Sequence, residues 1–220
     1  MPLKLVFIFM VFFSLLGFLQ KQPREKVKVD FINQLHGDFS FAQNWSYPLG
    51  VERKEDGKAG CADGGFCPER CYNMLDSNGI VLKDSATLFY RLLDTSHLYH
   101  TLLCEANAYE FAGADYFHVY KDSGKFFGFS ETGIATHSSL ELDYRNGRLK
   151  AFVVLNSIMQ SNGKQIFNAT SGYLKIDRTY FNRDTLKAFF NFQFYNHLEH
   201  KKPLWWKGWI YSPIQTFKKQ

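Results

Sequence analysis

The stretch "SLELDYRNGRLKAFVVLN", residues 139–156, decides the fold because it carries the strongest hairpin signal in the chain. Leu140, Leu142 and Tyr144 alternate with polar residues, which is the period-two pattern of a strand with one buried face. Asn146-Gly147 follows, and this dipeptide favours the positive φ angles of a two-residue β-turn. The stretch therefore predicts two antiparallel strands joined by a tight turn.

The same rhythm continues on both sides of this hairpin. It predicts a mainly β fold, an antiparallel meander of about eight strands that is closed as a barrel or stacked as a sandwich. A single short helical region is expected at about residues 85–106, where apolar residues recur at helical spacing. The further predicted strands lie in "GDFSFAQNWSY" (37–47), "DYFHVYKDSGKFFGFS" (115–130), "GYLKID" (172–177), "LKAFFNFQFYN" (186–196) and "PLWWKGWIYSP" (203–213).

The C-terminal strands also carry a resemblance. "GYLKIDR", the Phe-alternating "LKAFFNFQFYN" and the closing "WKGWIYSPI", together with "GDFSFAQNW", resemble small exported bacterial β-sandwich or lipocalin-like β-barrel proteins. The resemblance covers about a third of the chain. It implies the fold and carries over no functional residues.

The N-terminus indicates export. A short basic start, "MPLK", precedes fifteen uncharged apolar residues at 5–19. That run has the length of a secretory signal core and is shorter than the roughly 20 residues that span a bilayer. We expect residues 1–20 to be a signal peptide or a retained anchor that attaches the protein to a membrane through residues 5–19. A linker at 21–36 and a single β-rich domain at 37–215 would follow. The protein would then be periplasmic, secreted or envelope-associated.

The predicted compartment affects how the four cysteines are interpreted. Cys61, Cys67 and Cys71 lie in a long polar loop, and Cys104 lies in the predicted helical region. Thiols outside the cytoplasm tend to be oxidised, so an even number of cysteines favours disulfide bonds. We expect Cys71–Cys104 together with Cys61–Cys67. The pairing Cys67–Cys104 with Cys61–Cys71 is the alternative.

A metal site is the competing interpretation of the same region. On a helix, His97, His100 and Cys104 would stand at i, i+3 and i+7 on one stripe, and a loop thiolate could complete a tetrahedral zinc site. The loop spacing C-x5-C-x3-C lacks the C-x2-C knuckle of strong zinc signatures. The primary prediction is therefore disulfide bonds, with no metal and no cofactor.

Charge and motifs argue against several function classes. The formal net charge of +5 is modest and scattered, and no basic stripe or RNA-binding motif accompanies it, so no nucleic-acid partner is predicted. Glu131, His137 and Ser138 could be drawn as a catalytic group, but such clusters are commonplace in sequences. Other carboxylates, such as Asp115, show no pairing by spacing. No catalytic residue is predicted.

The surplus of aromatic residues gives the one candidate binding site. Aromatic content is 18%, with 23 Phe and 12 Tyr. In the last strand Trp205, Trp209 and Tyr211 alternate with Trp206 and Ile210, so the first three could form a row that binds an apolar or carbohydrate ligand. The competing interpretation is simple packing. The sequence thus predicts an exported, non-catalytic binding or accessory domain. An envelope structural or assembly protein and a hydrolase with a hidden site are the alternatives.

Overall fold

The computed structural model of the protein describes residues 26–48, 50–62, 68–111, 113–131, 137–157 and 163–216. An α-helix occupies Ala86–Leu92 and a single helical turn occupies Arg178–Phe181, while short 3-10 helices lie at Ser40–Gln43, Glu69–Met74 and Lys83–Ser85. The strands are β1 (Lys26–Ile32), β2 (Trp45–Ser46), β3 (Val51–Arg53), β4 (Ala59–Cys61), β5 (Leu98–Tyr99), β6 (Leu102–Ala106), β7 (Tyr116–Asp122), β8 (Lys125–Glu131), β9 (Ser138–Arg145), β10 (Arg148–Asn156), β11 (Lys164–Asp177), β12 (Thr185–Phe194) and β13 (Leu204–Thr216).

Strands β7 to β13 form a closed barrel of seven strands. Each strand from β7 to β13 pairs antiparallel with the next one in the chain. In an up-and-down meander with an odd number of strands, the first and last strands point the same way. The closing pair must therefore be parallel, and β13 does pair parallel with β7, from Ile214↔Val119 to Thr216↔Lys121. The predicted mainly β meander is confirmed, and of the two predicted closures the barrel is observed.

The long strands β11 and β13 each pair with an additional strand outside this ring. Strand β1 runs parallel to the second half of β11, and β6 runs antiparallel to β13 over Trp206–Ile210. The register of β11 with β12 shifts between Ala169 and Ser171, which marks an irregularity such as a β-bulge. Gly172 follows at φ +133°, where an added Cβ would collide with the Asn191 carbonyl oxygen. Only glycine fits such a close approach of two strands.

Side chains fill the interior of the barrel. On β12 every second residue from Leu186 to Phe194 is buried, while Lys187 and Asn191 lie on the other face, as the alternation predicts. Barrels of this size have an interior just wide enough for side chains to pack. Strands β7, β8, β11, β12 and β13 all contribute fully buried aromatic side chains: Phe117, Phe126, Phe167, Phe190, Phe192 and Trp206.

The predicted hairpin at residues 139–156 is confirmed. Strands β9 and β10 pair antiparallel around Asn146-Gly147, with Arg145 opposite Arg148. The φ angles are 52° at Asn146 and 78° at Gly147, which is the left-handed pair that a two-residue turn requires.

The predicted helical region at 85–106 is wrong beyond Leu92. Leu98–Tyr99 and Leu102–Ala106 are strands, since their backbones pair with β2 and β13. A tertiary partner has overridden a local helical pattern. The residues 26–32, which were expected to belong to a linker, form β1 and pair with β11.

The strand predicted within residues 37–47 is also largely wrong. Asp38 Oδ1 accepts a hydrogen bond from the backbone N–H of Ser40, and the chain then enters the 3-10 helix Ser40–Gln43. Only Trp45–Ser46 is extended as a strand. An aspartate that bonds the backbone two residues ahead starts a turn, which competes with strand pairing.

Candidate functional site

The predicted aromatic row lies outside the barrel, as the alternation on β13 requires. Trp206 and Ile210 are fully buried, whereas Trp205, Trp209 and Tyr211 are half-buried on the opposite face. The alternation correctly predicted that Trp205, Trp209 and Tyr211 share one face of β13, opposite Trp206 and Ile210; it did not predict that this face is the outer one.

The chain itself covers the middle of this row. The Trp209 ring packs on Phe39 at 5.3 Å and on Phe189 at 4.4 Å between ring centroids. Tyr211 contacts the same Phe39 ring, at 6.0 Å. Gly37 lies so close to the Trp209 ring that a Cβ at this position would overlap it. These contacts favour a packing role for Trp209 over an open platform for a ligand.

The cysteines do not form the predicted bridges to the former helical region. Cys71 and Cys104 are both free thiols, so Cys71–Cys104 and both bonds of the alternative pairing are wrong. Cys71 is buried in a separate cluster with Val51, Phe89 and Leu93, whereas Cys104 packs against the barrel core. Cys61 is disulfide-bonded. Cys67 lies outside the described residues, and no two described cysteines are bonded to each other.

The alternative metal site is also wrong, because its three residues are not on one helix. The His97 ring stacks on Trp45 at 3.6 Å, and Cys104 Sγ lies 3.7 Å from the Ala114 carbonyl oxygen. Burial raises the pKa of the Cys104 thiol to about 12, so it stays protonated. Across the described ranges, no group of three or more His, Cys, Asp and Glu side chains could hold a metal ion.

A groove opens on the barrel wall where β13 changes its partner. Strand β13 bonds β7 only from Ile214 onward, so the backbone of Phe117 on β7 needs other partners. The Phe117 N–H donates to Thr101 Oγ1 at 2.7 Å, and the Phe117 carbonyl accepts from Ser212 Oγ at 2.6 Å. Two hydroxyl side chains replace a strand ladder here. They hold β7 and β13 apart, and a groove remains between them.

The groove has a volume of about 230 Å³ and a mainly apolar lining. It is smaller than the roughly 300–1,000 Å³ of pockets for drug-sized ligands, so its ligand would be a single ring or a short chain. Among its polar side chains, His118 Nε2 and Glu131 Oε2 lie 2.9 Å apart. The lining residues are Leu98, Tyr99, Thr101, Tyr116, Phe117, His118, Glu131, Ser212, Pro213 and Gln215.

Glu131 was one of the three residues considered as a catalytic group. The structure pairs it with His118 of the neighbouring strand, a residue that the sequence had not singled out. Ser138 is buried, and the backbone carbonyl of His137 accepts a hydrogen bond from Asn156 N–H. The strand pairing of β7 with β8 brings His118 and Glu131 together, and no spacing along the chain could have shown this.

A second polar cluster lies beside the groove. Ser46 Oγ is 2.7 Å from His100 Nε2, and His100 Nδ1 is 3.8 Å from Asp115 Oδ1. The Tyr116 ring meets the His100 ring edge-on at 5.6 Å. Burial raises the pKa of the Tyr116 hydroxyl, so this side chain is a neutral hydrogen-bonding neighbour. His100 had been considered only as a metal ligand and Asp115 only as a scattered carboxylate.

No protein-family model, curated protein or solved structure matches the chain. None of the helices in the described part of the chain has the length and apolarity that a membrane span requires.

Proposed function

We propose that this protein is an exported ligand-binding domain and that its ligand occupies the groove between β7 and β13. The observation that carries the proposal is the combination of a mainly apolar lining with a close polar pair, His118 and Glu131. Binding sites for small molecules are mainly apolar and contain a few polar groups that fix orientation.

The packed interior supports a site on the outside of the barrel. Larger barrels hold ligands in the lumen, but here the fully buried aromatic residues occupy it. Tyr99 lines the groove and is 56% exposed, so its side chain is accessible to a ligand. The ligand class that fits is a small planar or apolar ring with one hydroxyl group, which His118 or Glu131 would bond.

The expected affinity is modest because the groove is small. A ligand such as p-cresol has about eight non-hydrogen atoms, and about 0.5 kcal/mol per atom gives about 4 kcal/mol. This corresponds to a Kd of about 1 mM. Methyl α-D-glucoside serves as the carbohydrate arm of the same experiment.

The test is an NMR titration of the two probes against variants of matched exposure. We expect Tyr99→Ala and His118→Ala to weaken p-cresol binding at least about fivefold. Tyr195→Ala should leave binding unchanged, because Tyr195 is 54% exposed and lies outside the groove. If only the glucoside binds, the ligand class changes to carbohydrate. If Trp205→Ala abolishes binding and Tyr99→Ala does not, the site is the aromatic row and the groove proposal fails.

Export is part of the proposal and rests on the uncharged apolar run at residues 5–19. Fractionation of the native host should place the protein in the periplasm, the medium or the envelope. Recovery of the whole pool from the cytosol, with Met1 retained, would contradict export and leave the groove argument untouched.

A further inference from the structure

We infer that Ser46, His100 and Asp115 form a hydrolytic site for small esters, with Ser46 as the nucleophile. This inference goes beyond ligand binding and does not depend on what the groove binds. It rests on the order of the three side chains: a hydroxyl on one imidazole nitrogen and a carboxylate facing the other. That order is the arrangement by which a weak nucleophile is activated.

The backbone holds all three residues in place. Ser46 lies opposite Leu98 in the β2–β5 pair, and the His100 N–H donates to the Asn44 carbonyl at 2.9 Å. The Asp115 carbonyl accepts from the N–H groups of both Thr101 and Leu102. Backbone hydrogen bonds at and next to these strands thus hold the three residues in fixed positions. A catalytic arrangement requires such fixed positions.

Ser46 Oγ lies 2.7 Å from His100 Nε2. The proposed mechanism uses the tautomer with the proton on Nδ1, in which Ser46 Oγ donates to Nε2. Nδ1 faces Asp115 Oδ1 at 3.8 Å, which is longer than a hydrogen bond. In this geometry the carboxylate acts through its charge. A shift of about 1 Å on substrate binding would close the hydrogen bond, as often happens between free and bound enzymes.

The cluster is accessible but partly shielded. The His100 side chain is 17% exposed and that of Asp115 is 50% exposed, while Ser46 is half-buried. A histidine that is mostly shielded from water interacts more strongly with a neighbouring carboxylate. Tyr116 contacts the His100 ring and also lines the groove, so it lies between the cluster and the groove.

The reaction balances without a cofactor or an oxidant. Ser46 Oγ bonds to the ester carbonyl carbon while its proton moves to His100 Nε2. The tetrahedral intermediate collapses, the C–O bond to the alcohol breaks, and the alcohol leaves with the proton from His100. A water molecule, deprotonated by His100, then attacks the acyl-Ser46 ester. The carboxylic acid is released and the Ser46 hydroxyl is restored.

Covalent labelling of the folded wild-type chain is the primary test. A fluorophosphonate should form a Ser46 Oγ–phosphorus bond with loss of fluoride, and peptide mass spectrometry should find the adduct on Ser46. His100→Ala should lower the labelling rate at least about 100-fold with Ser46 still present. His197→Ala and Ser77→Ala are the matched controls and should label normally, because both residues are exposed and outside the cluster.

Hydrolysis of p-nitrophenyl acetate provides the second readout. We expect Ser46→Ala to abolish turnover and Asp115→Asn to lower kcat more than it raises KM, while p-cresol binding persists in both. Absence of any Ser46 adduct on the folded wild-type protein would overturn the inference, even if a variant fails to fold. Equal labelling of wild type and folded His100→Ala would overturn it as well. Neither result bears on ligand binding in the groove.

Discussion

Removing the Trp209 side chain tests whether the aromatic row on β13 stabilises the fold by packing or forms an open surface for a ligand. A fully buried Trp→Ala change costs about 3–5 kcal/mol, and a half-buried ring retains roughly half of that. The ring pairs with Phe39 and Phe189 add about 0.5–1.5 kcal/mol each. We therefore expect Trp209→Ala to lower the free energy of unfolding by about 3 kcal/mol.

Trp205→Ala is the control on the same strand face. Lys207 Nζ lies 5.3 Å from the centroid of the Trp205 ring, a cation–π contact that contributes about 0.5–1 kcal/mol. Because Trp205 is also half-buried, we expect this variant to lose about 1.5–2.5 kcal/mol, less than Trp209→Ala by the contribution of the two ring pairs.

The assay is unfolding in guanidinium chloride, in which the variants are compared on the condition that the m-value, the slope of the free energy of unfolding against denaturant, stays constant. The double variant Phe39→Ala/Trp209→Ala is measured as well. Residues in contact are coupled, so the double-mutant cycle should give about 0.5–1.5 kcal/mol. A loss below about 1 kcal/mol for Trp209→Ala, together with zero coupling to Phe39, would refute the packing account. The row would then be open for a ligand.

Three further outcomes follow from the fold. Gly172→Ala should lower the free energy of unfolding by at least about 2 kcal/mol, because the new Cβ would clash with the Asn191 carbonyl oxygen and the residue has a positive φ. An unchanged Tm in thermal unfolding would contradict this. Burial alone would raise the pKa of Asp177, but backbone N–H groups, including that of Leu35, outweigh it and lower the pKa. Asp177→Ala should therefore cost about 2–4 kcal/mol at pH 7. The ionised carboxylate stabilises the fold above the unfolded pKa, and this gain disappears as the pH falls through the lower folded pKa. The difference in stability between the wild type and Asp177→Ala should thus become smaller from pH 7 to pH 2. A difference that stays constant over this range would contradict the assigned role of Asp177. In unreduced, denatured protein, iodoacetamide should label both Cys71 and Cys104, because both are free thiols. In the native protein it should not label Cys104, because burial raises the pKa of this thiol to about 12. If neither cysteine reacts in denaturant, they are disulfide-bonded and the free-thiol assignment is wrong.

Local patterns were enough to predict the barrel wall. The alternation from Leu186 to Phe194 and the turn at Asn146-Gly147 depend only on neighbours in the chain. The faces of β13 followed from the same period. The barrel closure did not, because a meander pattern fits both a barrel and a sandwich.

The missed strands depend on distant partners. "LLCEA" in β6 fits a helix as well as a strand, and only its pairing with Trp206–Ile210 decides between them. Strand β1 did carry a signal, since Val27, Val29 and Phe31 alternate with Lys28 and Asp30 and pack against the core. The charged residues that flank it make the same segment resemble a polar linker.

The candidate sites could not be predicted because each joins separate segments. Ser46, His100 and Asp115 come together through the β2–β5 pair and the backbone bonds of Thr101. His118 meets Glu131 through the register of β7 and β8. Neither contact leaves a spacing along the chain that a motif search would find.

The most direct test of the central claim is an amide and indole shift map of the wild-type protein during titration with p-cresol. We predict that the shifts concentrate on Tyr99, His118 and Gln215 around the groove, with the indole N–H signals of Trp205 and Trp209 unmoved. Shifts confined to those two indole signals, with the groove amides silent, would contradict the account and place the ligand on the aromatic row.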